Sequence, residues 1–306
     1  MQDVTLKQLL EAGCHFGHKA ERWHPKADQF IYQRREGIHI IDLAKTKQGL
    51  KKAAEFIKDL AKQGKTVLFV GTKKQAAAII KEESLRAGTA FISKRWIGGF
   101  LTNWEQVHKN LEKIRNLKNE QEKDIWKKYP KHERVKLGRY LGRLEMFYGG
   151  VLSLMDLPDA VFVIDIKRED IAIKEARKQG IPIVAMVDTN SDPTAIEYVI
   201  PANDDAVGSI KFIVNYLASA FLEGRLEFEK NKIPVVKMTD GKIKDLKTVV
   251  TKKVEPIKTV IVEKNKPAEV KKIEKKEIVL TKGQSTLGGK PTKKATTKKE
   301  KKPSTK

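Results

Sequence analysis

The sequence predicts an α/β fold: a parallel sheet with helices on both faces, followed by a lysine-rich tail. Two observations carry the fold class. Five short apolar runs are each bounded by Gly, Asp or Pro, and helical patterns lie between them. Strand and helix in alternation imply parallel pairing with helices covering the sheet. The third observation is a change of composition near Lys230. From there to Lys306 the chain holds 24 lysines, no arginine and 8 acidic residues, a net +16, which leaves only +7 of the total +23 to the 229 residues before it.

The runs read as buried strands are "TVLFVG", "TAFIS", "DAVFVID", "PIVAMVD" and "EYVIPA". A helix is predicted over 45–63, where Leu50, Ala53, Ala54, Ile57, Leu60 and Ala61 share one stripe and Gly64 supplies the stop. Glu169 to Gln179 forms another, ended by Gly180. A further one over 205–222 places Val207, Ile210, Val214, Leu217, Ala218 and Phe221 together.

One segment breaks the rhythm. Trp104, Val107, Leu111 and Ile114 step by three and four, and Leu137, Leu141, Leu144, Tyr148, Val151 and Met155 continue such steps after Pro130. The pattern predicts an antiparallel coiled-coil hairpin over 104–155, inserted between strands. Helices of about 20 residues would project roughly 30 Å. The hairpin's flanks are a solvated mixture of charges, but its tip concentrates Lys127, Lys128, Lys131, His132 and Arg134.

The organisation expected is therefore an α/β domain over 1–229, interrupted by the hairpin, and a largely disordered tail over 230–306. Repeated Lys with Pro, Thr and Ser, ending in "KPTKKATTKKEKKPSTK", cannot bury enough surface to offset ordering entropy. Basic charge on this scale points to a polyanion, above all nucleic acid. The single Cys14 excludes an intrachain disulfide. The start "MQDVTLKQLLEAG" lacks the basic flank and apolar core of an export signal, and no run approaches a membrane span, so the expected location is the cytoplasm.

"VLFVGTKKQA", Val67 to Ala76, resembles the entry to a phosphate loop. Yet after Gly71 no glycine follows until Gly88, which fails both the Walker spacing and the G-x-G-x-x-G spacing. Gly71 and Thr72 ahead of a helix still aim free amides at an anion, with Thr72 as a helix cap the plainer reading. Lys73 and Lys74 are either phosphate contacts or solvated lysines of a helix start. "VDTNSDP" sets Asp188 and Asp192 at a strand end, a place for catalytic acids, but without an accompanying nucleophile pattern and with the composition of a turn. The alternative function is a nucleotide- or sugar-phosphate-handling enzyme using Gly71, Lys73 and Asp188. Cys14, His15, His18 and His24 are potential zinc ligands that lack paired Cys-x-x-Cys or His-x-x-x-His elements, so neither metal nor cofactor is expected.

Basic and aromatic residues cluster in "ERWHPK" and "SKRWIGGFLTNW". Arg and Lys meet phosphates, aromatic faces stack on bases, and Gly lets backbones approach. The competing assignment puts the tryptophans in the core with their polar edges satisfied, and at least one of Trp23, Trp96 and Trp104 is expected there.

Several separated segments, taken together and in order, resemble the family of bacterial small-subunit ribosomal protein number two. They are "LLEAGCHFGHKAERWHPKADQFIY", "GIHIIDLAKT", "VLFVGTKKQA", "RWIGGFLTNW", "LPDAVFVIDIKREDIAIKEARKQGIPIVAMVDTNSDP" and "VIPANDDA", spanning Thr5 to Arg225. The resemblance implies a flavodoxin-like three-layer α/β/α domain of strand order 2-1-3-4-5 with the inserted hairpin. It also implies a structural, non-enzymatic role: binding small-subunit rRNA between head and body, beside other small-subunit proteins, and helping to anchor ribosomal protein one where that exists. No small-molecule substrate and no membrane partner are implied. The residues expected to meet RNA are Arg22, Trp23, His24, Lys26, Arg34, Arg35, Lys73, Lys74, Lys94, Arg95, Trp96, Asn103, Lys127, Lys128, Lys131 and Arg134. Two departures stand out. Cys14 and His24 replace a small apolar residue and an asparagine of the family pattern, and the Lys-rich tail has no counterpart in common members, so its role does not carry over.

Overall fold

A computed structural model describes residues 3–232 of the chain. Its frame is a five-stranded parallel sheet of β4 (Val67–Val70), β5 (Ala90–Ile92), β6 (Ala160–Ile164), β7 (Ile183–Val187) and β8 (Tyr198–Pro201). The spatial order is β5-β4-β6-β7-β8. Counted within the sheet this is 2-1-3-4-5, the order the resemblance implies. All five apolar runs read as strands form this sheet.

Alternation along each strand divides the core into two layers. Val67, Phe69, Phe162, Ile164, Val184, Met186 and Ile200 face α2 (Leu43–Lys62), α3 (Lys74–Ala87) and α7 (Val207–Lys232). Leu68, Val70, Val161, Val163, Ile183 and Ala185 face α6 (Asp170–Lys178) and the inner ends of α4 (Trp104–Glu122) and α5 (Lys131–Tyr148). Both faces of the strands are buried, which is why they read as continuous apolar runs. Fully burying one such large side chain contributes about 1.5–3 kcal/mol.

Helices α4 and α5 leave the sheet between β5 and β6 and pack on each other. Val107, Leu111, Ile114 and Leu117 are the buried stripe of α4, while α5 buries only Leu141 and Tyr148. Lys118 pairs with Glu145 at 2.9 Å, and Asn110 donates to the Tyr148 hydroxyl at 3.3 Å, so the two helices run antiparallel. The connection carries a short 3-10 helix, Ile125–Lys128, seated by the buried Trp126, whose indole donates to Glu120 at 3.2 Å.

The N-terminal segment differs from the sequence expectation, which assigned no element before residue 45. Here α1 (Leu6–Glu11) precedes a small antiparallel sheet of β1 (Phe16–Lys19), β2 (Ile31–Arg35) and β3 (Ile38–Ile41), in the order β1-β3-β2. The β2–β3 hairpin turns on Glu36 and Gly37, both at positive φ, +52° and +77°, the two-residue geometry that matches strand twist. These strands are short and half exposed, so they lack the apolar run that marked the others. The last helix, read as ending near Leu222, continues to Lys232 and crosses the boundary expected at residue 229. The tail expected to be disordered lies, from residue 233 on, outside the described residues.

Candidate nucleic-acid interface

Parallel strands release their following loops at the carboxyl end of the sheet, and some of the sequence-predicted residues lie there. The loop after β4 holds Gly71 to Lys73, that after β5 holds Lys94 and Arg95, that after β6 holds Asp165 to Arg168, and that after β7 holds Asp188 to Asp192. The small antiparallel sheet is stitched to the β7 loop. The amide of His18 donates to Thr189 Oγ1 at 2.9 Å and that of His24 to the Thr189 carbonyl at 2.8 Å. Gly17 permits this approach, since a Cβ there would lie 2.8 Å from Thr189 Cγ2 and 2.9 Å from the His39 carbonyl.

The β4 loop already holds an anion of the protein's own. Glu169, buried, accepts from the Thr72 amide at 3.2 Å and the Thr72 hydroxyl at 2.5 Å, where a phosphate loop would keep these donors free. Burial raises the Glu169 carboxyl above the usual carboxylate range. The cap reading of Thr72 is corrected: the N-cap of α3 is Lys73, without a side-chain cap, and the Thr72 hydroxyl serves Glu169 and accepts from Arg168 Nε at 2.9 Å.

Lys73 turns inward. Its ammonium lies 2.5 Å from Asp205, 2.8 Å from Asp204 and 3.3 Å from Asp165, with the side chain 13% exposed. Burial pulls its pKa down, but the hydrogen bonds to Asp204 and Asp205 outweigh it and hold the pKa above the ordinary lysine value. Asp204 is pushed up to about 7 by burial, then by the charges of Asp188 and Asp165. Asp165 itself sits in the left-handed region at φ +63°. Lys73 thus braces three strand ends instead of presenting its charge outward, whereas Lys74 is exposed.

The tryptophans divide as the two assignments allowed. Trp96 is buried, and its indole donates to Glu175 at 3.1 Å. Glu175, also buried, accepts in addition from the amides of Gly99 at 2.7 Å, Leu101 at 2.9 Å and Thr102 at 3.3 Å, so one carboxylate shapes the "RWIGGFLTN" loop. Trp104 is half-buried against Phe100. Trp23 is 38% exposed and edge-on to His39 at 5.4 Å.

The remaining cations fall into two regions. Arg22, Arg34 and Arg35 are exposed on the antiparallel sheet and its approach, Lys94, Arg95 and Asn103 are exposed in the loop after β5, and Lys26 reaches Asp192 at 2.8 Å. That contact, chiefly its hydrogen bond, holds the Asp192 carboxyl well below the usual range. His24 is half-buried, its Nδ1 accepting from the Lys26 amide at 3.3 Å. At the hairpin tip Lys127, Lys128, Lys131 and Arg134 are exposed, Lys127 pairing with Asp124 at 2.8 Å. Sequence reading passed over Lys167 and Arg168, exposed in the β6 loop, although "DIKRED" follows a strand as the other basic loops do. Cys14, His15, His18 and His24 do not converge; Cys14 is fully buried, and burial raises its thiol pKa.

Fold and loops together define a doubly wound α/β protein whose sheet-end acids are engaged internally and whose outward charge is basic. The family model described as "Ribosomal protein S2" matches residues 9–224, and the chain belongs to that family. It is 51% identical over 225 residues to the small ribosomal subunit protein uS2 of Coprothermobacter proteolyticus, covering 74% of this chain and 84% of that one. It is 48% identical over 225 residues to the protein of the same name from Microcystis aeruginosa, covering 74% and 85%. These relatives are ribosomal structural proteins, so the protein is not an enzyme, and the nucleotide-handling alternative through Gly71, Lys73 and Asp188 is set aside.

Proposed function

We propose that the protein binds small-subunit ribosomal RNA and holds two regions of it together, through basic loops on the α/β body and through the tip of the α4–α5 hairpin acting as a coiled-coil arm. The observation that carries this is the distribution of unspent positive charge. Arg22, Arg34, Lys74, Lys94 and Arg95 on the body, and Lys128, Lys131 and Arg134 at the tip, form no salt bridge among the described residues. Trp23 offers a stacking face, and Lys26, His24, Asn103 and Arg35 flank the basic loops. Lys73 and Trp96 support the interface from inside by shaping the loops that carry Lys74, Lys94 and Arg95. Specificity then lies in RNA shape rather than in a base code.

The family's place between head and body, its neighbouring small-subunit proteins and its help in anchoring ribosomal protein one extend this reading to partners. So does a ribosome-bound location in the cytoplasm. No described helix is long and apolar enough to cross a membrane.

Charge reversal at the tip tests the arm. Replacing Lys127, Lys128, Lys131 and Arg134 by Glu in the full chain should reduce the salt dependence of binding to small-subunit rRNA by about one slope unit for each phosphate contact removed. An unchanged slope would remove the hairpin from the interface.

A further inference from the structure

We propose that the groove at the amino-terminal ends of β4 and β5 seats the chain's own segment 233–238, and so fastens the start of the lysine-rich tail to the α/β body. The groove has a volume of about 420 Å³ and is lined by Leu85 and Ala87 of α3, by Thr89 at the entry to β5, and by Phe221, Leu222 and Leu226 of α7. It lies at the end of the sheet opposite the basic loops.

Two observations point to an apolar polypeptide as the occupant. Leu85 is 63% exposed and Leu226 47%, so large apolar side chains stand open on two walls of one groove. Thr89 is 7% exposed, and its hydroxyl has no hydrogen-bond partner among the described residues, a cost that a backbone group laid across it would remove. The groove does not suit an anion. Arg86 is engaged by Glu83 at 2.7 Å and by Ser219 at 3.0 Å, and Arg225 lies 3.8 Å from Glu229 with its guanidinium over the Phe228 ring. RNA phosphates find no unspent cation there.

Position in the chain selects the occupant. Helix α7 lines the groove as far as Glu229 and ends at Lys232, so residue 233 comes one helical turn beyond the rim. The six residues from there read "IPVVKM", the first apolar run after α7. Pro234 cannot continue a helix and disfavours helical geometry at Ile233, which turns the chain off the helix axis beside the groove. Six extended residues reach about 20 Å, whereas Phe221 to Glu229 occupies about 12 Å of helix, so the segment is long enough to run back along that wall. A tether this short holds it at roughly millimolar effective concentration, and modest contact then suffices. Later runs such as "TVIV" follow a longer tether, and a second copy of the chain bears the full loss of translational freedom. The family match stops at residue 224, so the contact belongs to this chain's own extension and stands apart from RNA binding.

Hydrogen exchange of the full-length protein without RNA tests the contact. Amides of residues 233 and 235–238 should exchange at least about tenfold more slowly than those beyond residue 282. Leu85→Asp, at an exposed position of α3, should return them to the rate of the later tail, and so should Val235→Asp combined with Val236→Asp. Leu226→Asp is the second groove variant should Leu85→Asp fail to fold by circular dichroism. Val249→Asp combined with Val250→Asp, further along the tail, should leave the slow exchange unchanged. The proposal is overturned if the slow exchange is absent, survives a folded groove variant, is lost in the Val249 and Val250 variant, or grows with protein concentration as a second copy fills the groove.

Discussion

Glu175 gathers the indole of Trp96 and the amides of Gly99, Leu101 and Thr102 onto its two oxygens, and by doing so it fixes the loop that presents Lys94, Arg95 and Asn103. Removing the carboxylate leaves several buried donors unpaired, each worth about 1–3 kcal/mol when orphaned. Glu175→Ala should therefore lower the unfolding free energy by about 2–4 kcal/mol in urea denaturation, with Glu175→Gln, which keeps one acceptor oxygen, falling between. Equal stability of all three would show that the loop is held by packing alone. Nothing in the sequence singled out Glu175: it sits in a helical pattern as one more charged residue, and its partners lie more than 70 positions away. Lys73 illustrates the reverse. Its position after a strand-end glycine was legible, but the direction of its ammonium depends on Asp165, Asp204 and Asp205, which only the sheet brings together.

Among the elements, the strands of the parallel sheet and helices α2 and α6 were readable because burial on both sheet faces writes continuous apolar runs, and one buried helix face writes a stripe. The antiparallel sheet was not, because its strands are held by Gly17, Thr189 and the β7 loop instead of by apolar alternation. Helix contacts were equally hidden. Gly224 of α7 lets that helix meet α2 so closely that an added Cβ would lie 2.4 Å from the Lys58 carbonyl and 2.8 Å from the Ala61 Cβ. Gly224→Ala must push the two helices apart, and thermal or urea unfolding should show a loss of about 1–3 kcal/mol despite alanine's better helix propensity. A gain in stability would mean that the helices are free to separate.

For the whole molecule, charge and shape do different work. The body and the hairpin tip carry exposed cations, while the segment from Lys230 onward adds a net +16 without arginine. Deleting Lys282 to Lys306 should weaken general RNA affinity more than specific incorporation into small subunits, as read by filter binding and by gradient profiles of reconstituted particles. Truncated protein that fails to enter particles would place those lysines in the specific site. If about six phosphates are neutralised overall, affinity should fall by roughly a thousandfold or more over a modest rise in salt. The most direct test is sedimentation of the native protein from gently lysed cells. The account predicts that it travels with small ribosomal particles at low salt and is released at high salt. Sedimentation as a free protein at both salt concentrations would contradict it.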